Sequence, residues 1–112
     1  MTTTITGQPI YSTFGDDADM AELVEMFVEE MPARITSLEE AFAGRDRETL
    51  HRLAHQMKGA GGSYGFAQLT PYAKAVESAA RDGETEDRLQ VALDDLIAAC
   101  KLVRAGTAST AP

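Results

Sequence analysis

The sequence predicts an all-α fold: an antiparallel up-down four-helix bundle preceded by an N-terminal arm or short helix. Three features predict it. Apolar residues recur at three- and four-residue steps along most of the 112 residues. No β-branched run alternates with polar residues, and only four prolines occur, one of them terminal. Trp is absent and aromatics make up 6% of the chain, so Leu, Val, Met and Ala must fill the core, which suits helix-on-helix packing. A hydrophobic fraction of 44% supplies one core, and the length allows one domain.

Residues 1–15 mix Thr, Gly and Pro with Ile10, Tyr11 and Phe14. They read as an extended arm whose apolar members dock on the bundle. Asp16, Asp17 or Asp19 caps the first helix, because a short carboxylate accepts from the free amides of a first helical turn. Leu23, Val24, Phe27, Met31, Ile35, Leu38 and Phe42 then form one apolar stripe. Pro32 removes a backbone donor inside that stripe, so a kink or restart is expected near residues 28–32. Gly44 ends the segment.

Asp46 starts the second helix, with Leu50, Leu53, Ala54, Met57, Ala60 and Tyr64 inward and Gly65 as its close. Thr70-Pro71 reads as a cap followed by proline at the first helical position. Leu69, Ala73, Val76 and Ala80 point one way until Gly83 supplies a stop. The last helix is expected from about residue 84 to 104, burying Leu89, Leu93, Leu96, Ile97, Cys100 and Val103. The bundle thus spans 16–105. The small, polar tail 106–112 is expected to be disordered.

Charge narrows the function. A formal net charge of -8 opposes nucleic acid, where neutralising phosphates needs a basic face, and opposes anionic membrane surfaces. Residues 1–33 hold seven acids and no Lys or Arg, which reads as a solvated helix face. The single cysteine, Cys100, cannot form an internal disulfide and reads as a small buried hydrophobe. Met1–Gln8 is polar and has no signal-peptide core, and no stretch approaches the roughly 20 apolar residues of a membrane span. The expected compartment is the cytoplasm. A single acidic bundle beginning at Met1 is expected to be a monomer that diffuses between separate partners.

The second helix carries the chemistry. At about 100° per residue, Leu53, Met57 and Tyr64 lie about 160–200° from His55, whereas His51, Lys58, Gly59 and Gly62 fall within about 60° of it. His55 therefore faces solvent midway along a rigid helix, with Lys58 beside it. Exposed imidazoles titrate near pH ~6.5, so a large neutral fraction is available as a nucleophile towards phosphorus. Gly59, Gly61 and Gly62 each cost about 1 kcal/mol against alanine inside a helix and need a reason. Gly61 lies inward, where it permits close helix packing. Gly59 and Gly62 lie outward, where a missing side chain lets another protein approach the ring.

The stretch Ala54-His55-Gln56-Met57-Lys58-Gly59, with Gly65 ten residues after the histidine and the helix from Leu69 to Glu77, resembles the histidine-containing phosphotransfer (HPt) domains of bacterial phosphorelays. The resemblance covers roughly 16–104. It implies that His55 is the phosphoacceptor, Lys58 the cation that stabilises phosphoryl oxygens, and Gly59 the small residue that gives partners access. It places Glu77 where the family carries Gln or Glu on the neighbouring helix to orient the histidine through its other ring nitrogen. It also implies receiver domains of response regulators as partners, a hybrid histidine kinase among the possible donors, and no cofactor of the chain's own. Mg²⁺ belongs to the receiver. The implied function is a phosphorelay intermediate that takes a phosphoryl group from one receiver aspartate and hands it to another receiver.

Other readings meet obstacles. No Gly-rich phosphate loop followed by Lys-Ser/Thr and no kinase signature occurs, so the chain is expected to be a phosphocarrier without an ATP site rather than an enzyme. A receiver-binding scaffold that never takes phosphate would not require His55 and Lys58. A receiver phosphatase is a further enzyme-class alternative. A metal-carboxylate bundle needs inward Glu-x-x-His pairs, which are missing. His51 and His55 are four apart, as some metal pairs are, but no acid or thiolate neighbours them on that helix face. His51 reads as an ordinary surface residue. Lys74, Arg52 and Arg81 are candidates for extra positive charge around His55. Met20, Met26 and Met31 read as core filler, while part of the first helix is expected to stay apolar and exposed beside the His55 face as a docking grip.

Overall fold

A computed structural model describes residues 7–106; the expected tail disorder at 107–112 and the first six residues of the arm lie outside the described residues. Four helices form the molecule: α1 (Ala18–Ala43), α2 (Arg47–Ser63), α3 (Thr70–Arg81) and α4 (Glu86–Cys100). Each packs on the next in sequence, and α1 also meets α4, so the four close a bundle. Their joined apolar stripes make one core, in which Phe27, Leu38, Leu50, Met57, Phe66 and Leu96 are almost fully buried. Cys100 is buried within it, and loss of water pushes its thiol up to about 12.

Local chemistry sets most of the boundaries. Of the three candidate aspartates, Asp17 caps α1, its carboxylate accepting from the Asp19 amide at 2.9 Å. Asp46 caps α2 by accepting from the Thr49 amide and hydroxyl at 3.0 and 2.7 Å. Those Thr49 bonds hold the Asp46 carboxyl below its ordinary value. Thr85 caps α4 through the Arg88 amide, with Glu86 and Asp87 in the first turn complementing the helix dipole.

Several expectations are corrected. α1 runs through Pro32 without a restart, because the turns on either side are anchored by buried Phe27, Met31, Ile35 and Leu38. Leu23 and Met26 are not core: they remain 42% and 49% exposed, while Phe42 is half-buried at the edge. Thr70 is the first residue of α3 rather than its cap, since a 3₁₀ turn at Ala67–Leu69 leads straight into the helix. The last helix is shorter at both ends than expected. Thr85 starts it by capping, and it stops at Cys100, because Val103–Arg104 (β2) leaves the helix to pair in parallel with Ile10–Tyr11 (β1). The docked arm is thus a short strand, not a helix.

The arm is fixed to the end of α2 by one close approach. The Ser12 hydroxyl donates to the Tyr64 carbonyl at 2.6 Å, and the Thr13 amide donates to the Gly65 carbonyl at 3.0 Å. Gly65 has φ +85°, and a Cβ there would stand 2.3 Å from Ser12 Oγ and 2.9 Å from Phe14. Only glycine fits both the backbone and the space. Just beyond it, the Phe66 ring stacks on Phe27 at 5.4 Å, and the Tyr64 ring lies tilted 5.3 Å from Phe27. The C-terminal end of α2 is therefore held by α1, the arm and the core together.

Candidate functional site

His55 sits midway along α2 with its side chain 64% exposed, on the side of the helix away from Ala54 and Met57. The rigidity of its position follows from its neighbours: Ala54 and Met57 are buried at 0% and 2%, so the backbone that carries the ring cannot shift without disturbing the core.

α3 supplies the ring's partner. Glu77 points from α3 towards α2 and is buried, with 10% of its side chain exposed. Its Oε2 lies 2.6 Å from His55 Nδ1, and its Oε1 accepts from Lys58 Nζ at 2.8 Å. Lys58, one turn after His55, has 31% of its side chain exposed. The Lys58 hydrogen bond holds the Glu77 carboxyl below its ordinary value; burial opposes this, and the His55 bond reinforces it. Glu77 is therefore an anion at neutral pH, and an ionised carboxylate can only accept. The hydrogen of a neutral His55 ring must then reside on Nδ1. The lone pair is left on Nε2, across the ring and turned away from Glu77.

The glycines behave as their helix positions imply. Gly59 and Gly62 have open space where a Cβ would stand, with nothing within 4 Å. Gly61 is buried, and a Cβ there would meet Leu69 and the Phe66 carbonyl at 3.4 Å. His55 thus has bare backbone on the following turns of its own face.

Sequence reasoning brought together His55, Lys58 and Glu77, and the structure places all three in one hydrogen-bonded set. The remaining candidates differ. Arg81 is held by Asp82 at 3.0 Å, and Arg52 and Lys74 are exposed without an ion pair to the set. His51, read from its own helix as a surface residue lacking an acidic neighbour, has Nε2 3.9 Å from Glu77 Oε2. The acid comes from α3, which helix geometry on α2 alone does not display. The available signal was the four-residue spacing of His51 and His55, since a carboxylate that reaches one ring on a helix face lies near the other.

Beside α2, the opposite edge of the face is formed by α1. A groove of about 260 Å³ lies between Glu30, Ala33, Arg34 and Ser37 of α1 and Leu53, Gln56 and Met57 of α2. Leu23 and Met26 continue the same side of α1 towards its start, as their spacing from Glu30 and Ala33 requires. Among the described residues, no group of three or more His, Cys, Asp or Glu is arranged to hold a metal ion. No helix there is long and apolar enough to cross a membrane.

Two kinds of comparison leave the chain without a counterpart: no curated protein and no solved structure matches it. A third does not. The family model described as Hpt domain matches residues 22–105, most of the chain, including all of α2, α3 and α4.

Proposed function

The chain belongs to the Hpt domain family, and from that premise we propose that His55 Nε2 receives a phosphoryl group from the aspartate of one receiver domain and delivers it to another. Hpt domains serve in two-component phosphorelays as phosphocarriers rather than enzymes, and they interact with receiver domains. The observation that carries the assignment to His55 is its hydrogen bond to Glu77, which leaves the exposed ring with its nucleophilic lone pair pointing outward.

Transfer to the chain forms a bond from Nε2 to phosphorus and breaks the bond from phosphorus to the aspartyl oxygen, whose electron pair stays on the receiver's carboxylate. The ring keeps its Nδ1 hydrogen and becomes positively charged as the new bond forms. Glu77 stabilises that charge. Lys58 has a dual part: it anchors Glu77 in the resting state, and its ammonium offsets charge on the phosphoryl oxygens. Gly59 and Gly62 admit the receiver's backbone. Leu23 and Met26 give it an apolar grip on α1. Because the rigid helix pre-positions one atom, most of the chain's contribution is orientation.

The test is to incubate the chain with receiver domains loaded from a small-molecule phosphodonor and to follow acid-labile, base-stable label. Wild type takes label and His55→Gln does not. Label that persists in His55→Gln refutes the site. A wild type that binds receivers measurably but never takes label points instead to a sequestering scaffold.

A further inference from the structure

The Glu77 carboxylate faces two imidazoles. His51 precedes His55 by one helical turn, its side chain 38% exposed, and its Nε2 stands 3.9 Å from the same oxygen that His55 Nδ1 reaches at 2.6 Å. At that separation no hydrogen bond joins His51 to Glu77. Oε1 is taken by Lys58, and Oε2 has two lone pairs, of which His55 uses one.

The other charged groups around His51 are committed elsewhere or stand further off. On α2, Arg47 is tied to the Glu84 carbonyl at 2.6 Å, and Glu48 and Arg52 are exposed. On α3, Arg81 is held by Asp82, although its charge also reaches Glu77, and Lys74 lies a turn to the other side of Glu77. Glu30 and Arg34 of α1 line the groove on the far side of α2, and the 3₁₀ turn carries no charge. Among the described residues, Glu77 is the only acid within ion-pair distance of the His51 ring.

We propose that His51 is a positioning residue that competes with His55 for Glu77 Oε2, making phosphoryl acceptance sensitive to the protonation of a second imidazole. This rests on the reading of His55 as phosphoacceptor. Neutral His51 leaves the oxygen to His55. Protonated His51 carries a positive charge and a hydrogen on both ring nitrogens, so it draws Oε2 across the gap and shares it. The carboxylate then holds the His55 Nδ1–H less firmly. It also does less to stabilise the ring charge that develops as the bond to phosphorus forms. Acceptance therefore falls more steeply with acid than titration of His55 alone would make it.

Two measurements test this. In the unphosphorylated chain, ring ¹⁵N signals of His55 are followed from about pH 5 to 8.5, a window that brackets imidazole titration. In wild type they respond in two steps, one of which tracks the His51 ring; in His51→Gln only one step remains. In transfer from a phosphorylated receiver, corrected for the receiver's own pH dependence, the acid limb of His51→Gln falls about ten-fold per pH unit, the one-proton limit. Wild type falls more steeply through the His51 transition, by a further factor of about three- to ten-fold in all, before returning to the one-proton slope, and the two converge at alkaline pH. His51→Lys, a fixed cation, accepts about three- to ten-fold more slowly than wild type at pH ~8. Identical His55 titrations and acid limbs in wild type and His51→Gln, or an unslowed His51→Lys, overturn the proposal. Failure of the phosphoacceptor reading itself is distinguishable: label then persists in His55→Gln, while the ring signals still report whether His51 reaches Glu77.

Discussion

His55 and Glu77 meet across the α2–α3 interface in a 2.6 Å hydrogen bond, although one side chain is 64% exposed and the other 10%. The contact joins a buried, fixed anion to a ring that partners can reach. On the proposed reading, orientation comes from the interior and reactivity is displayed at the surface.

Removing the carboxylate separates these two properties. Glu77→Ala frees the ring to rotate and to exchange tautomers, and it strips the developing charge of its anion. Acceptance should fall on the order of 10- to 100-fold, as loss of an orienting partner does elsewhere. Glu77→Gln retains an acceptor for Nδ1–H and should recover part of that loss. Initial rates of label uptake check both. Equal rates in all three proteins would remove Glu77 from the mechanism.

Lys58 controls the charge on Glu77 and, through it, stability in acid. The carboxyl is held below its ordinary value, with the Lys58 bond as the largest cause. A lowered carboxylate pKa adds stability above the unfolded-state value and loses it as pH falls through the folded-state value. Wild type should keep this contribution until pH drops below about 4.5, the ordinary glutamate value. In Lys58→Met burial opposes ionisation with less counterweight, so the loss begins at higher pH. At neutral pH the substitution should cost about 1 kcal/mol, since the lysine is partly solvated. Urea unfolding between about pH 3 and 7 checks the direction and the window.

The outward glycine on the turn after His55 can be filled without strain. A Cβ at Gly59 meets nothing within 4 Å, so Gly59→Ala should stabilise the helix by up to about 1 kcal/mol. Gly59→Gln should also fold, yet crowd the approach and slow transfer several-fold. Thermal unfolding and transfer rates on the two variants check this. An unchanged rate in Gly59→Gln would remove the steric argument.

Gly65 is the opposite case. Its φ of +85° and a Cβ position 2.3 Å from Ser12 Oγ make Gly65→Ala a clash as well as a backbone strain. The arm must then detach from the end of α2, at a cost of about 2 kcal/mol or more. Unfolding midpoints give the cost. Faster amide exchange at Ile10 and Thr13 than at Leu50 would localise it to the arm.

These contrasts show what was legible in the sequence. Asp46, Gly65 and Gly83 marked element ends because caps and left-handed turns are local chemistry. His55, Lys58 and Gly59 followed from helix period and from motif. The end of α4 was not legible, since Val103–Arg104 leaves the helix for a partner at Ile10–Tyr11, almost the whole chain away. Periodicity also placed Leu23 in the core, although the bundle leaves that side of α1 open. The acid near His51 was not legible for a related reason: Glu77 sits on a different helix.

The most direct measurement is which ring nitrogen of His55 carries phosphorus, read from ³¹P–¹⁵N couplings in the labelled, phosphorylated chain. Because Glu77 engages Nδ1, the coupling should fall on Nε2 and vanish in His55→Gln. Phosphorus on Nδ1, or on His51, would contradict the account.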